Sequence, residues 1–169
     1  MSTSVYLVRH AIAAERGDEW PDDAKRPVTH KGAARMREIV AGLVALEMRV
    51  DLVLTSPLVR ARQTADMLVD GLGLTPAPLL VIAPALAPEG EIAHVADEIG
   101  KHEKRSGIAV VGHEPGLGEL AAWLIGAATP LPLKKGGVCR IDLSGRPRSG
   151  SAQLIWLATP RMLRALGGG

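Results

Sequence analysis

The chain has no phenylalanine, one tyrosine and three tryptophans among 169 residues. Its core must therefore come mainly from Val, Leu, Ile, Ala and Met, which suits buried parallel strands flanked by helices. The same scarcity argues against aromatic platforms for stacking bases. A single cysteine, Cys139, excludes an internal disulfide framework and a cysteine-rich zinc site. It fits a reducing cytoplasm and reads as a small buried residue. No apolar run approaches the about 18 residues needed to span a membrane. Met1 to His10 also lacks the basic stretch and long apolar segment of a secretion signal. The expectation is a cytoplasmic protein without membrane association. A formal net charge of +2 is too small to imply nucleic acid, but it leaves room for local positive patches that attract a phosphorylated ligand.

What is present is ordinary globular composition, 47% hydrophobic and 22% charged. The length predicts one domain over 1–166, with the glycines 167–169 as a flexible tail. Short apolar runs at Val5–Val8, Leu52–Thr55, Leu79–Ile82 and Ile108–Val111 alternate with helical spacing. Helices are predicted from an N-cap at Thr29 to about Glu47, from an N-cap at Ser56 with Pro57 behind it to about Asp70, over Glu91–His102, over Leu117–Ile125, and near Pro160–Leu166. Val138–Leu143 and Ala152–Leu157 read as a late hairpin pair. The alternation predicts a three-layer α/β/α sandwich with a largely parallel central sheet, whose ligand crevice lies at the carboxyl edge of the strands.

That edge gathers Arg9-His10 after the first strand, Ser56 and Arg60 after the second, and His113 after Ile108–Val111. A phosphoryl group carries up to about two negative charges, and the planar guanidinium forks of Arg9 and Arg60 match its oxygens. Positive neighbours disfavour a protonated imidazole, so His10 should be neutral, with a lone pair free for nucleophilic attack.

Four segments carry a family resemblance: Leu7-Val8-Arg9-His10, Arg26-Pro27-Val28-Thr29 with Gly32 beyond it, Ser56-Pro57-Leu58-Val59-Arg60-Ala61 with Thr64-Ala65, and Gly112-His113-Glu114-Pro115. In this order they resemble the histidine phosphatase superfamily, with its phosphoglycerate mutase-like fold, and within it the small SixA-type phosphohistidine phosphatases. The resemblance implies that His10 is the nucleophile, that Arg9 and Arg60 clamp phosphate, that His113 adds a hydrogen bond or charge, and that Arg26 is a further substrate clamp. It implies no metal and no cofactor. Ser56 is expected to cap a helix and Thr64 to serve packing.

Two departures narrow the expectation. Ala11 stands where the superfamily usually has glycine, so the backbone there cannot need a glycine-only conformation. Pro88 stands where many superfamily phosphomonoesterases carry a glutamate acid. An alkoxide leaving group needs a proton, a service worth about 100- to 10,000-fold, whereas the imidazole of a phosphohistidine is a less demanding leaving group. The expected substrate is phosphohistidine, on a protein such as a phosphotransfer domain. A small-molecule phosphomonoesterase is the alternative, and a non-catalytic phosphate-binding module a remoter one. Asp18, Glu89, Glu91 and Glu114 are the candidate acids, each read first as solvated or structural. The acidic residues Asp18, Glu19, Asp22 and Asp23 and the pair Lys134-Lys135 are expected to be solvated loop charges. His30, His94 and His102 are read as helix-surface residues without metal-ligand spacing, and Trp123 and Trp156 as core filler.

Overall fold

The computed structural model describes residues 2–168; Met1 and Gly169, the last residue of the expected tail, lie outside them. One six-stranded sheet runs through the described residues in the order β3-β2-β4-β1-β5-β6. Its strands are β1 (Ser2–Arg9), β2 (Leu52–Thr55), β3 (Leu79–Ile82), β4 (Gly107–Gly112), β5 (Val138–Ser144) and β6 (Ala152–Ala158). The first four in this sequence are mutually parallel where they pair, and the β5–β6 hairpin adds antiparallel strands beside β1.

Alternation along each strand sends successive side chains to opposite faces. Tyr6 and Val8 of β1 join one core with α1 (His30–Ala45), α2 (Val59–Leu72) and α5 (Pro160–Leu166). Val5 and Leu7 join the other, beneath α3 (Ile92–Gly100) and α4 (Gly116–Ile125). The result is the three-layer sandwich with a largely parallel sheet, and the small aliphatic residues fill both layers without phenylalanine.

Several local expectations are met and others corrected. Thr29 caps α1, its hydroxyl accepting from the Gly32 N–H at 2.9 Å. Ser56 does not cap α2: the helix begins three residues later, with Leu58 at the cap position and no side-chain cap bond. The Ser56 hydroxyl accepts from the Leu58 N–H at 3.2 Å within the turn and is otherwise engaged by His113. α3 stops at Gly100, so His102 lies in the turn beyond it. Trp123 and Trp156 are half-buried at the margins of the two cores rather than inside them. Cys139 is fully buried, and burial pushes its thiol up to about 12. Of the expected tail, Gly167 closes the last turn of α5 through its N–H to the Leu163 carbonyl.

Sheet order is what assembles a site. β2, β4 and β1 are adjacent and parallel, so their carboxyl ends open on the same edge. The His10 N–H bonds the Gly112 carbonyl at 3.1 Å and the Ser56 N–H bonds the Val111 carbonyl at 3.0 Å, carrying the ladder one residue past each strand. His10 and Ser56 are thereby held at the crevice by backbone pairing, and His113 follows directly on the end of β4.

Candidate active site

Arg9, His10, Arg26, Arg60 and His113, all singled out from sequence, line one cleft of about 370 Å³. His10, Arg26, Arg60 and His113 are buried. The two imidazoles lie 5.2 Å apart between ring centroids, tilted by 54°.

One hydrogen bond fixes the chemistry of His10. Its Nδ1 lies 2.7 Å from the Ala11 carbonyl oxygen, which can only accept. Nδ1 therefore carries the ring proton, and the lone pair sits on Nε2. His10 is held down to about 4 from an ordinary value of 6.5. Burial is the largest cause, the Ala11 carbonyl acts against it, and Arg60, Arg9 and Lys135 follow. The expected arginine effect is present but secondary to desolvation. Burial, with help from His10 and Arg60, takes His113 down to about 3.

These shifts have a consequence for stability. Below pH 6.5 the unfolded chain takes up protons on both histidines that the folded chain does not, until about 4 and 3 are reached. Stability is therefore full above that range and falls as pH drops through it. The expected slope is about 1.4 kcal/mol per pH unit for each histidine. Urea midpoints at about pH 7 and about pH 5 should differ in the wild type and differ less in His10→Ala. Equal wild-type midpoints would contradict the assignment.

His113 is oriented by a residue assigned a different role from sequence. Its Nε2 lies 2.8 Å from the Ser56 hydroxyl, which already accepts from the Leu58 N–H. A hydroxyl proton that finds no other partner here goes to Nε2, leaving the single ring proton on Nδ1. Among the described residues, four buried side-chain N or O atoms lack a hydrogen-bond partner, and three are the cleft nitrogens Arg9 Nε, Arg60 Nε and His113 Nδ1. All three are donors. Buried donors without acceptors are rare in folded proteins, and these three belong to residues that line one cleft with His10.

Asp23 corrects a second expectation. Rather than being merely solvated with its acidic neighbours, it bonds two cleft arginines: Arg26 Nε donates to its carboxylate at 2.8 Å, and Arg60 donates to its backbone carbonyl at 2.9 Å and its carboxylate at 3.1 Å. Partial burial opposes ionisation of Asp23, but the bonds from Arg26 and Arg60 outweigh it and hold the carboxyl below its ordinary range. The i,i+3 spacing of Asp23 and Arg26 is visible in sequence, whereas Arg60 is 37 residues away. Thr64 also does more than pack. Its hydroxyl accepts from the Ala11 N–H at 2.9 Å and donates to the Arg60 carbonyl at 2.7 Å, tying the turn after His10 to the helix that presents Arg60. Gly32 explains itself by close approach, since a Cβ there would stand 2.1 Å from the Ile12 carbonyl oxygen.

Of the four candidate acids, only Glu114 lines the cleft, joined by exposed Glu15, with Pro88 also in the wall. The Glu114 carboxylate accepts from the Gly118 N–H at 2.6 Å and so helps hold the start of α4. Among the described residues no three His, Cys, Asp or Glu side chains are grouped to hold a metal ion.

The profile of the histidine phosphatase superfamily (branch 1) matches residues 5–80. An uncharacterized protein of Picosynechococcus sp. is 36% identical over 154 residues, covering 89% of this chain and 87% of its own length. Phosphohistidine phosphatase SixA of Escherichia coli is 28% identical over 162 residues, 95% of this chain and 96% of that protein. A structure of the protein histidine phosphatase SixA complexed with tungstate matches with a TM-score of 0.83 at 27% identity, over 94% of this chain and 98% of the other. A phosphoglycerate mutase of Bacillus anthracis, 16% identical, shares the fold with a TM-score of 0.75 over 99% of this chain and 97% of its own.

Proposed function

The chain belongs to the histidine phosphatase superfamily, in its SixA-type group, and from that premise we propose that it removes the phosphoryl group from phosphohistidine, carried on a phosphotransfer protein, through a covalent intermediate on His10. The observation that carries this reading is the set of donor nitrogens on Arg9, Arg60 and His113 left unpartnered around a histidine whose Nε2 bears a lone pair. Three donors around one nucleophile suit a tetrahedral oxyanion. The similar protein histidine phosphatase SixA forms a complex with tungstate, an anion of that shape.

In the proposed cycle the Nε2 lone pair of His10 forms a bond to phosphorus as the P–N bond to the substrate imidazole breaks. The substrate ring, protonated from solvent on its other nitrogen, takes that bond's electrons onto the leaving nitrogen as a lone pair and departs as a neutral imidazole. Arg9, Arg60 and His113 Nδ1–H hold the equatorial oxygens while charge redistributes, and Arg26 is a further clamp. Water then attacks the phosphoryl group on Nε2, releasing phosphate and restoring the neutral ring. The Nδ1–H bond to the Ala11 carbonyl keeps the same nitrogen available for each turnover. Pro88 in the cleft wall supplies no proton, which suits a leaving group whose own basicity lies near neutrality.

Ser56 acts through His113. Removing its hydroxyl frees the His113 tautomer, so Ser56→Ala should lower kcat about tenfold, the worth of one hydrogen bond, with KM little changed. Steady-state kinetics on a phosphohistidine peptide measure this directly; an unchanged kcat would release Ser56 from the site.

Substrate class is tested by rates on a phosphohistidine peptide, free phosphohistidine and a panel of sugar and nucleotide phosphates. The proposal expects kcat/KM for phosphohistidine to exceed that for every phosphomonoester by about 100-fold, the lower bound of what a missing general acid costs an alkoxide leaving group. Faster hydrolysis of a sugar or nucleotide phosphate would make the protein a small-molecule phosphomonoesterase instead.

A further inference from the structure

Beside the reactive cleft lies a second, larger groove of about 720 Å³ whose charge is one-sided. Arg9 and Lys135 line both spaces, so the two adjoin. Beyond them the groove is lined by Arg35 from α1, Lys134 from the loop before β5, and Arg161 and Arg164 from α5. No carboxylate is among its lining residues, and among the described ion pairs these six cations make only Arg164 to Glu38. Six cations brought together by four separate parts of the chain, in a protein of net charge +2, concentrate positive potential along one track.

The Lys134-Lys135-Gly136-Gly137 stretch, expected to be a solvated loop, is pinned to the reactive residues. The Gly136 N–H bonds the carbonyls of Arg9 and His10, each at 3.1 Å, and the Arg9 N–H bonds the Gly137 carbonyl at 3.1 Å. Gly136 makes this possible: its φ of +81 belongs to the left-handed region, and a Cβ there would stand 2.7 Å from Ile39 Cδ1. The lysine pair is thus held at the mouth of the cleft while its ammonium groups stay exposed. Lys134, Lys135 and Arg161 are exposed and Arg9, Arg35 and Arg164 half-buried around a floor that includes Ala11, Ile12, Ile39 and Pro160, an apolar centre with a charged rim of the kind found at protein interfaces.

We propose that this groove is the docking surface for an acidic stretch of the phosphorylated partner protein, positioned so that the partner's phosphohistidine enters the adjoining cleft. The inference rests on the phosphohistidine-protein substrate proposed above. Charge at such a rim accelerates encounter and sets partner choice more than it alters the chemical step.

Arg35→Glu combined with Arg161→Glu tests it, with two substrates: free phosphohistidine, and a histidine-phosphorylated phosphotransfer domain bearing Asp and Glu beside its histidine. The variant should lose about tenfold or more in kcat/KM on the phosphodomain, with less than about twofold change on free phosphohistidine, which also shows that the variant folds. Converting the domain's acidic residues to Lys should restore much of the variant's rate and slow the wild type. Equal rates of wild type and variant on the phosphodomain, or a parallel loss on both substrates, would overturn the docking surface. Wild-type enzyme that hydrolyses neither substrate would overturn the phosphohistidine reading itself, and the docking inference with it.

Discussion

His10→Ala is expected to reduce turnover on a phosphohistidine peptide by about 10,000-fold or more, the scale seen when a covalent nucleophile is deleted, while the protein remains folded. The large effect follows from the arrangement at one nitrogen. The Ala11 carbonyl holds the proton on Nδ1, burial and the surrounding cations hold the ring neutral, and Nε2 is the lone pair left over. No second group can substitute. The Ser56 hydroxyl is committed to His113 and the Leu58 N–H, and His113 is turned toward Ser56 by the same bond. Folding should survive because His10 contributes to neither hydrophobic cluster. Removing it also removes a group that resists protonation in the folded state, so the variant should be the more acid-tolerant protein. Stopped-time assays with circular dichroism check both halves of the expectation, and a fully active, folded His10→Ala enzyme would end the covalent mechanism.

The second large effect belongs to Arg60. Arg60→Ala should lower kcat/KM by about 100- to 1,000-fold, the loss expected for one buried donor to a transition-state oxyanion, and weaken inhibition by vanadate in parallel. Arg60 is only 2% exposed, and its carbonyl and guanidinium are both held, the first by Thr64 and the second by Asp23. A guanidinium fixed this way spends little entropy when it meets phosphate. Arg60→Lys should recover only a small part of the activity, because an ammonium cannot bond Asp23 and phosphate with the same planar fork. Unchanged kinetics and vanadate sensitivity in Arg60→Ala would remove this residue from the site.

Much of this site can be read from the chain because buried parallel strands announce themselves as short apolar runs, and their carboxyl ends are then the place to look. That logic places Arg9, His10 and His113 at the edge, with Arg60 one further turn into a helix, while the family resemblance supplies their expected roles. Thr29 and the Pro160–Leu166 helix are legible for a similar reason, since capping and proline placement are local. Ser56-Pro57 shows where local rules fail. The pair satisfies the usual signature of a helix start, yet the helix begins at Val59 and the Ser56 hydroxyl pairs with His113, 57 residues away. Asp23 is opaque for the same reason: in an acidic stretch every carboxylate looks solvated until the fold brings Arg60 alongside. The lysine pair of the Gly136 loop is likewise ordinary until its backbone bonds to Arg9 and His10 are seen. Local propensity is written over a few residues, whereas site assembly depends on which strands end side by side.

The most direct test of the central claim is rapid acid-free quenching of wild-type enzyme during turnover of a labelled phosphohistidine peptide, followed by mapping of the label. A transient phosphoryl group on His10 Nε2 is expected, forming and decaying at rates compatible with kcat. Label on another residue, or steady hydrolysis with no labelled enzyme at any time point, would contradict it.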